Sequence, residues 1–354
     1  MNEITTVGVD LAKNVIVVCA AGLSGQVTVF KQFSFRAFGE WAANLPPCMI
    51  GMEACSSAHY WARRLTEYGH TTRLVAAELV KPFRKSKAAK NDRNDAEAIL
   101  TALRQPNMRF VGIKSADSQV MLAWHRLRQG FSMERTALIN RARGLLAEFG
   151  VWLGRSPNGL LRALAPLQND DRLPPRFRPL LGHIAEQLRL LDLRIEQCEQ
   201  EIRTHAKNSD DAQRISAIVG IGSLTASAIV STVGRAQDFK NGRQLAAWLG
   251  LVPQQMSSGG KDRLGAITKR GDTYLRGLLT QGARSTLRSA QSKVPEKRSR
   301  LEHWIIALAQ RAGYHKTLTA VANKHARMIW AILAKGENYD PNAWQRFEHR
   351  KAGC

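Results

Sequence analysis

The first hundred residues alternate short apolar runs with helix-like stretches, and this alternation restricts the possible folds more than any other feature of the chain. It is typical of an α/β layer architecture. The apolar runs predict strands at Thr6–Val9, Asn14–Ala21, Gln26–Phe30, Cys48–Met52 and Thr72–Ala76. The intervening periodic stretches predict helices at Phe35–Asn44, Ser57–Tyr68 and Asp92–Arg104.

The order of these elements separates two kinds of α/β fold. Three strands follow one another through short turns at Lys13-Asn14 and Ser24-Gly25, and only then do strands and helices alternate. This order predicts a ribonuclease-H-like fold, because a doubly wound nucleotide-binding fold needs a helix directly after its first strand.

The stretch from Ala116 to Lys207 has a helical composition. Spacings of four and three residues define a heptad seam formed by Ile184, Leu188, Leu191, Ile195, Cys198 and Ile202. This pattern predicts a long coiled-coil helix. A less regular apolar stripe covers residues 124–149, and the Pro-rich region 157–179 between the two is expected to be a turn region. The helices could form an antiparallel hairpin that packs on itself, or they could pair with a second chain.

The charge balance indicates a polyanionic partner. The chain has 354 residues, with 52 Lys and Arg against 29 Asp and Glu, and its net charge is +23.

Its longest apolar stretch, Val15–Ala21, is far shorter than the ~20 residues of a membrane-spanning helix. Five scattered cysteines without a CxxC pair indicate neither disulfides nor zinc. We expect a protein that is not exported and that works in a reducing cytoplasm.

Four acidic residues stand where a metal site could form. Asp10 and Glu53 each follow an apolar strand, and Asp92 and Asp95 are three residues apart at the start of a predicted helix. Oxygen ligands without His or Cys suit Mg²⁺ or Mn²⁺, and such ions can assist phosphodiester chemistry. Each acid alone could equally be a helix cap or a surface charge. An actin-like kinase also begins with Gly-x-Asp, but it needs further glycine-rich loops, and none precedes Gly220.

Two glycine-containing segments could contact phosphate groups. Ser257-Ser258-Gly259-Gly260-Lys261-Asp262-Arg263 places hydroxyl groups beside glycines and cations, although a purely structural loop has the same composition. Around Gly220 and Gly222 the pattern is that of a helix-hairpin-helix, whose backbone N–H groups contact DNA phosphates. A tight turn between packed helices would give the same pattern.

Two basic stretches could contact nucleic acid, although solvated helix faces are also basic. The first borders the acidic residues and contains Lys81, Arg84, Lys85, Lys87, Lys90 and Arg93. The second follows the serines and contains Lys261, Arg263, Lys269, Arg270 and Arg276.

Several motifs, in the right order over almost the whole chain, resemble the DEDD insertion-sequence transposases, the family numbered one hundred and ten. The motifs are Val7-Gly-Val-Asp10-Leu-Ala-Lys13, Gly51-Met-Glu53-Ala, Lys90-Asn-Asp92-Arg-Asn-Asp95-Ala-Glu-Ala and Gly250-Leu-Val-Pro253-Gln-Gln-Met-Ser-Ser-Gly259-Gly-Lys-Asp-Arg. The resemblance implies a RuvC-like catalytic domain at 1–110, a helical linker at 111–207 and a C-terminal transposase domain with a catalytic serine at 208–354.

The resemblance also implies site residues and partners. Asp10, Glu53, Asp92 and Asp95 match the metal-binding motif for Mg²⁺ or Mn²⁺. The family pattern of Pro, four residues and Ser-Gly selects Ser258 as the nucleophile, and Ser257 is the alternative. Members are DNA recombinases that choose donor and target DNA with a structured noncoding guide RNA. A homo-oligomer, either a dimer or a tetramer, is expected.

Two other functions are compatible with parts of the pattern. A junction-resolving or other metal-dependent nuclease could share the N-terminal fold, with a structural serine. A non-catalytic nucleic-acid-binding protein could retain a decayed site. The Pro-to-Ser-Gly spacing argues against the simple nuclease, and the complete set of four carboxylates argues against decay.

Overall fold

The computed structural model describes residues 3–84, 92–154, 156–256 and 263–342. The chain divides into two compact units, residues 1–117 and 118–354. Within the described ranges no helix has the length and apolar character needed to cross a membrane.

The first unit is built on a six-stranded sheet with the order β3-β2-β1-β4-β5-β6. The pairs β1–β2, β2–β3 and β5–β6 are antiparallel. The pairs β1–β4 and β4–β5 are parallel. These directions agree with the predicted ribonuclease-H-like fold. The strands are β1 Thr6–Leu11, β2 Ile16–Ala21, β3 Val27–Phe33, β4 Met49–Glu53, β5 Thr71–Val75 and β6 Phe110–Val111.

Four helices accompany the sheet: α1 Phe35–Ala43, α2 Ala58–Glu67, α3 Ala77–Val80 and α4 Asp92–Leu103. The apolar sides of α1 and α2 pack on one face of the sheet, where Phe38, Trp61 and Leu65 meet Val9 and Met52. Helix α4 covers the other face through Ala96 and Leu100. The three predicted helices are confirmed, whereas α3 and β6 were not predicted because they are too short to show a period.

Two strand glycines allow α4 to approach the sheet closely. Gly8 in β1 lies opposite Gly51 in β4. A Cβ atom on Gly8 would lie 2.4 Å from the carbonyl oxygen of Ala96, and one on Gly51 would lie 2.3 Å from a methyl group of Leu103. Side chains alternate between the faces of a strand, so Asp10 and Glu53, two residues further on, lie on the same side as α4.

The second unit is mainly helical, with a small hairpin of β7 Pro253–Gln255 and β8 Leu264–Ile267. One hydrophobic core lies between residues 139 and 188, and another lies between residues 206 and 333. Its helices are α5 Ala116–Ala147, α6 Pro157–Leu167, α7 Arg178–Asn208, α8 Asp210–Ser216, α9 Ser223–Val233, α10 Gly242–Trp248, α11 Thr273–Ser292, α12 Arg300–Ala312 and α13 Tyr314–Lys335.

Helices α5 and α7 run in opposite directions. Arg128 on α5 pairs with Glu199 on α7 at 2.6 Å, and Arg135, further along α5, pairs with Asp192, which is earlier in α7. This arrangement supports the antiparallel hairpin. Most residues of the heptad seam are buried within the chain, which argues against the alternative of pairing with a second chain through it.

The expectation of a turn throughout the Pro-rich region 157–179 was wrong, because α6 occupies its first half. Pro157 stands at the start of this helix, where a missing N–H costs no hydrogen bond. Pro166 lies in the last turn, so α6 ends shortly after it.

Candidate active site

Asp10 and Glu53 stand side by side at one edge of the sheet. Val9 pairs with Met52 in the parallel register of β1 and β4, and continuing this register by one residue brings Asp10 beside Glu53. Both carboxylates are half-buried. The apolar residues before them anchor the strands, so the backbone fixes the relative position of the two acids.

Helix α4 adds a second pair of carboxylates from above the sheet. Asp92 and Asp95 both lie in its first turn, where the positive end of the helix dipole stabilises negative charge. Asp95 is buried and Asp92 is exposed. The close approach of α4 at Gly8 is what places Asp95 near the strand that carries Asp10.

The three other acids lie close enough to Asp10 to affect its ionisation. The pKa of Asp10 is raised to about 6, first by burial and then by the negative charges of Asp95, Glu53 and Asp92, in that order. The guanidinium group of Arg84 opposes this rise. A pKa raised by three neighbouring carboxylates marks a place with an excess of negative charge, which would attract a cation.

Arg84 lies between two of the acids. Its Nη2 atom donates to Glu53 Oε1 at 3.2 Å, and its Nε atom lies 2.8 Å from Asp95 Oδ1. Arg84 belongs to the first basic stretch, and in the structure it pairs with two of the acids that this stretch borders. No local pattern around Arg84 indicated this role, because the two acids that it joins are 42 residues apart (95 − 53).

The chemistry of the four acids fits a hard divalent cation, since all of them supply oxygen ligands. Among the described residues, however, no three His, Cys, Asp or Glu side chains converge closely enough to hold one ion. Arg84 instead provides the countercharge between Glu53 and Asp95. A metal ion that uses both of these carboxylates would compete with this guanidinium group.

Comparison with known proteins identifies the family of this chain. Residues 7–150 match the model of a DEDD transposase domain, and residues 212–299 match the model described as "Transposase IS116/IS110/IS902 family". A probable family 20 transposase of Pseudomonas aeruginosa is 42% identical over 96% of this chain and 99% of the relative. The chain belongs to the IS110 family of insertion-sequence transposases.

Two further relatives of the transposase come from other bacteria. The transposase for insertion sequence element IS1111A of Coxiella burnetii is 38% identical over 96% of this chain and 92% of the relative. The transposase for insertion sequence element IS1328 of Yersinia enterocolitica is 35% identical over 95% of this chain and 98% of the relative.

The serine segment of the transposase connects β7 and β8. Pro253 pairs with Ile267 and Gln255 with Leu264, and the backbone N–H of Met256 donates to the carbonyl oxygen of Arg263 at 2.9 Å. The strands therefore bring the two ends of the segment together. Ser257, Ser258 and Lys261 themselves lie outside the described residues, as do Lys85, Lys87 and Lys90 of the first basic stretch.

The remaining basic residues of the two stretches differ in their surroundings. Arg93 lies over the ring of Phe30, with its guanidinium carbon 5.0 Å from the ring centre. Lys269 and Arg270 are exposed, as are Lys81 and Arg263. Arg276 is half-buried and donates to the carbonyl oxygens of Leu249 and Arg270, which gives it a role in holding this loop. A contact between these residues and nucleic acid stays a prediction.

Gly220 and Gly222, where the sequence suggests a helix-hairpin-helix or a tight turn between packed helices, lie between α8 and α9. Gly220 has a φ of +91°, and a Cβ atom there would lie 2.3 Å from the carbonyl oxygen of Gly282 on α11. Close packing against α11 is therefore enough to explain Gly220. Gly222 is exposed and has open space around its Cα. Phosphate binding by this turn stays a prediction.

Proposed function

We propose that the transposase is an RNA-guided DNA recombinase that cuts and rejoins strands with Ser258 as nucleophile and a divalent metal ion at the acidic site. The observation that carries this proposal is the grouping of Asp10, Glu53, Asp92 and Asp95 around one edge of the sheet, with mutual electrostatic effects on Asp10. A surface acid or a helix cap has no need of three carboxylate neighbours.

The four acids would hold Mg²⁺ or Mn²⁺, which when bound supplies positive charge that polarises a phosphodiester and stabilises its transition state. Neighbouring strands fix the backbone of Asp10 and Glu53, and α4 fixes that of Asp95, so a metal ion would require only their side chains to converge. Arg84 would have to leave its position between Glu53 and Asp95 for this set to act together.

The serine belongs to the proposal through the family pattern and through its place between β7 and β8. A serine hydroxyl group is a weak nucleophile unless a base or a metal activates it, so Ser258 would act together with the acidic site. A structured noncoding RNA, encoded beside the gene, would select donor and target DNA. The proposed domains are a RuvC-like domain at 1–110, a helical linker at 111–207 and a transposase domain at 208–354.

The test is incubation of the full chain with labelled element DNA, the element's noncoding RNA and Mg²⁺, followed by a denaturing protein gel. We expect wild type to carry DNA covalently, and Ser258→Ala to form no such adduct. Asp10→Asn should bind the nucleic acids yet form at least ~10²-fold less product, as is usual when a transition-state contact is lost. Ser257→Ala is the matched control and should keep the activity.

Three results would contradict parts of the proposal. DNA cleavage without any protein–DNA adduct would favour the metal-dependent nuclease. An adduct that is lost in Ser257→Ala but kept in Ser258→Ala would show that Ser257 is the nucleophile. Equal activity with and without the RNA would contradict the proposal that an RNA guides the reaction.

A further inference from the structure

A cavity of about 560 Å³ opens between the start of α10 and the middle of α13. Its walls include Arg243 on one side and Lys324, Arg327 and Trp330 on the other, and none of its described lining residues is acidic. The cavity lies in the second unit, far in sequence from the four acids, and Lys324, Arg327 and Trp330 lie beyond the region 212–299 that the family model matches.

Close packing of two helices forms this cavity. Gly242 is buried, and a Cβ atom on it would lie 2.9 Å from the Cα of Arg327. The start of α10 therefore lies against the backbone of α13, which brings Arg243 and Arg327 to the same cavity. The indole N–H of Trp330 donates to the carbonyl oxygens of Ala236 and Phe239, each at 3.0 Å, and this fixes the ring in the wall.

The cations of this cavity lack acidic partners. Within the described part of the chain, no carboxylate forms an ion pair with Arg243, Lys324 or Arg327. Arginines elsewhere in the second unit do have such partners, as Arg128 has Glu199. Positive charge collected without countercharge raises the free energy of the site, and a bound anion would lower it.

The excess of positive charge affects the pKa of Lys324. It is half-buried, and its Nζ atom lies 4.7 Å from the centre of the Trp304 ring. Burial lowers the pKa of Lys324, and the charges of Arg327 and Arg300 lower it further. Lys324 thus has positively charged neighbours, whereas the charges that raise the pKa of Asp10 are negative.

We propose that this cavity, formed by Arg243, Lys324 and Arg327, binds a backbone phosphate of DNA. Two guanidinium groups and one ammonium group match phosphate oxygens in charge and in hydrogen-bonding geometry. DNA is the partner that membership in a transposase family implies. Contacts of this kind hold the duplex in position without reading its sequence. The site depends on DNA as partner, and not on the proposed nucleophile, metal or guide RNA.

The first test compares DNA affinities of full-length variants over a range of salt concentrations. Arg243→Gln combined with Arg327→Gln should bind a short duplex about tenfold more weakly at ~0.1 M salt, and the slope of log K against log salt should fall by ~1, as for one lost phosphate contact. Arg311→Gln combined with Lys316→Gln is the matched control, because it removes two exposed positive charges outside the cavity. The control should keep the wild-type slope.

A second measurement needs no substitution and therefore does not depend on the folding of a variant. In wild type, an amine-reactive reagent should modify Lys324 more slowly once DNA is bound, whereas Lys316 should react at the same rate with and without DNA. Equal loss of affinity in the two double variants, or no protection of Lys324, would overturn the proposal. Protection by an RNA duplex but not by DNA would overturn the assignment to DNA. Because both tests measure binding, they are independent of whether Ser258 or Asp10 is needed for cleavage.

Discussion

At the scale of single residues, Arg84 is the side chain that most changes the interpretation of the acidic site. It contacts Glu53 and Asp95 and opposes the rise in the pKa of Asp10. A guanidinium group and a divalent ion satisfy the same need for positive charge. Occupancy of the site by one therefore disfavours the other.

We predict that Arg84→Gln strengthens the binding of Mn²⁺ to the acidic site by on the order of tenfold, because the ion no longer competes with a guanidinium group. The measurement is the rise in melting temperature as Mn²⁺ is added to the protein without nucleic acid. Arg84→Lys keeps the charge and should resemble wild type. Identical Mn²⁺ responses in all three proteins would show that Arg84 does not compete with the ion.

At the scale of elements, the contact between α4 and the sheet determines the geometry of the acidic site. The contact is close because Gly8 and Gly51 have no side chain, but the two positions differ in what surrounds them. A Cβ atom on Gly8 would meet the backbone of α4, at 2.4 Å from Ala96 O and 2.6 Å from Leu100 N. The three atoms nearest to a Cβ atom on Gly51 would all belong to the side chain of Leu103, at 2.3–2.7 Å, so a side chain and not the helix backbone would have to shift.

Gly8→Ala should therefore lower the free energy of unfolding by ~1–3 kcal/mol, the usual cost of overpacking, and Gly51→Ala should lower it less. Urea denaturation of the two variants measures this difference. Gly8→Ala should also weaken Mn²⁺ binding, since α4 carries Asp95. Equal stability of the two variants would mean that α4 shifts without cost.

Four helices of the second unit meet at a buried polar cluster. His125 on α5 lies 2.9 Å from the hydroxyl of Tyr274 on α11 and 3.0 Å from that of Ser227 on α9, and His205 on α7 lies 3.0 Å from Ser227. A neutral His125 can donate through one ring nitrogen and accept through the other. Burial, together with Arg128 and His205, lowers the pKa of His125 to about 4, and burial also lowers the pKa of His205.

This cluster predicts a loss of stability in acid. The unfolded chain protonates these histidines near pH 6.5, whereas the folded chain keeps His125 neutral to about pH 4. The free energy of unfolding should thus be fully retained above pH 6.5 and should fall between pH 6.5 and 4, by up to ~3 kcal/mol from His125. Chemical denaturation at several pH values measures it. His125→Gln should make this fall smaller without removing it, because burial also lowers the pKa of His325 to about 4. The exposed His183→Gln should leave the profile of wild type unchanged. Equal profiles for the two variants would contradict the assignment to His125.

At the scale of the whole molecule, the proposed nucleophile Ser258 and the four acids belong to different parts of the chain. They lie in the two separate compact units, with Asp95 in residues 1–117 and Ser258 in residues 118–354. The family resemblance implies an oligomer in which one active site draws on more than one chain. Most residues of the heptad seam of α7 are buried within the chain, whereas exposed apolar residues such as Leu127 and Leu193 offer a surface for such an assembly.

Mixing Ser258→Ala with Asp10→Asn tests this assembly. If the site is shared, neither variant cleaves alone, and a random mixture of dimers regains about a quarter of the wild-type activity. Half of such dimers contain both variants, and each of these has one of its two sites intact. DNA cleavage after subunit exchange is the measurement. A mixture that stays inactive, although both variants assemble, would place each site within one chain.

The sequence by itself determined the sheet and the identity of its acids. Strand and helix periods depend on neighbouring residues, so the order β1 to β5 and the helices α1, α2 and α4 could be predicted, as could the positions of Asp10 and Glu53 at strand ends. Only the tertiary structure decided what lies between and around these residues. Arg84 joins two acids from separate elements, α4 rests on Gly8, and Arg243 meets Arg327 across a cavity. Such contacts join residues distant along the chain, and they depend on side-chain packing that no local pattern encodes.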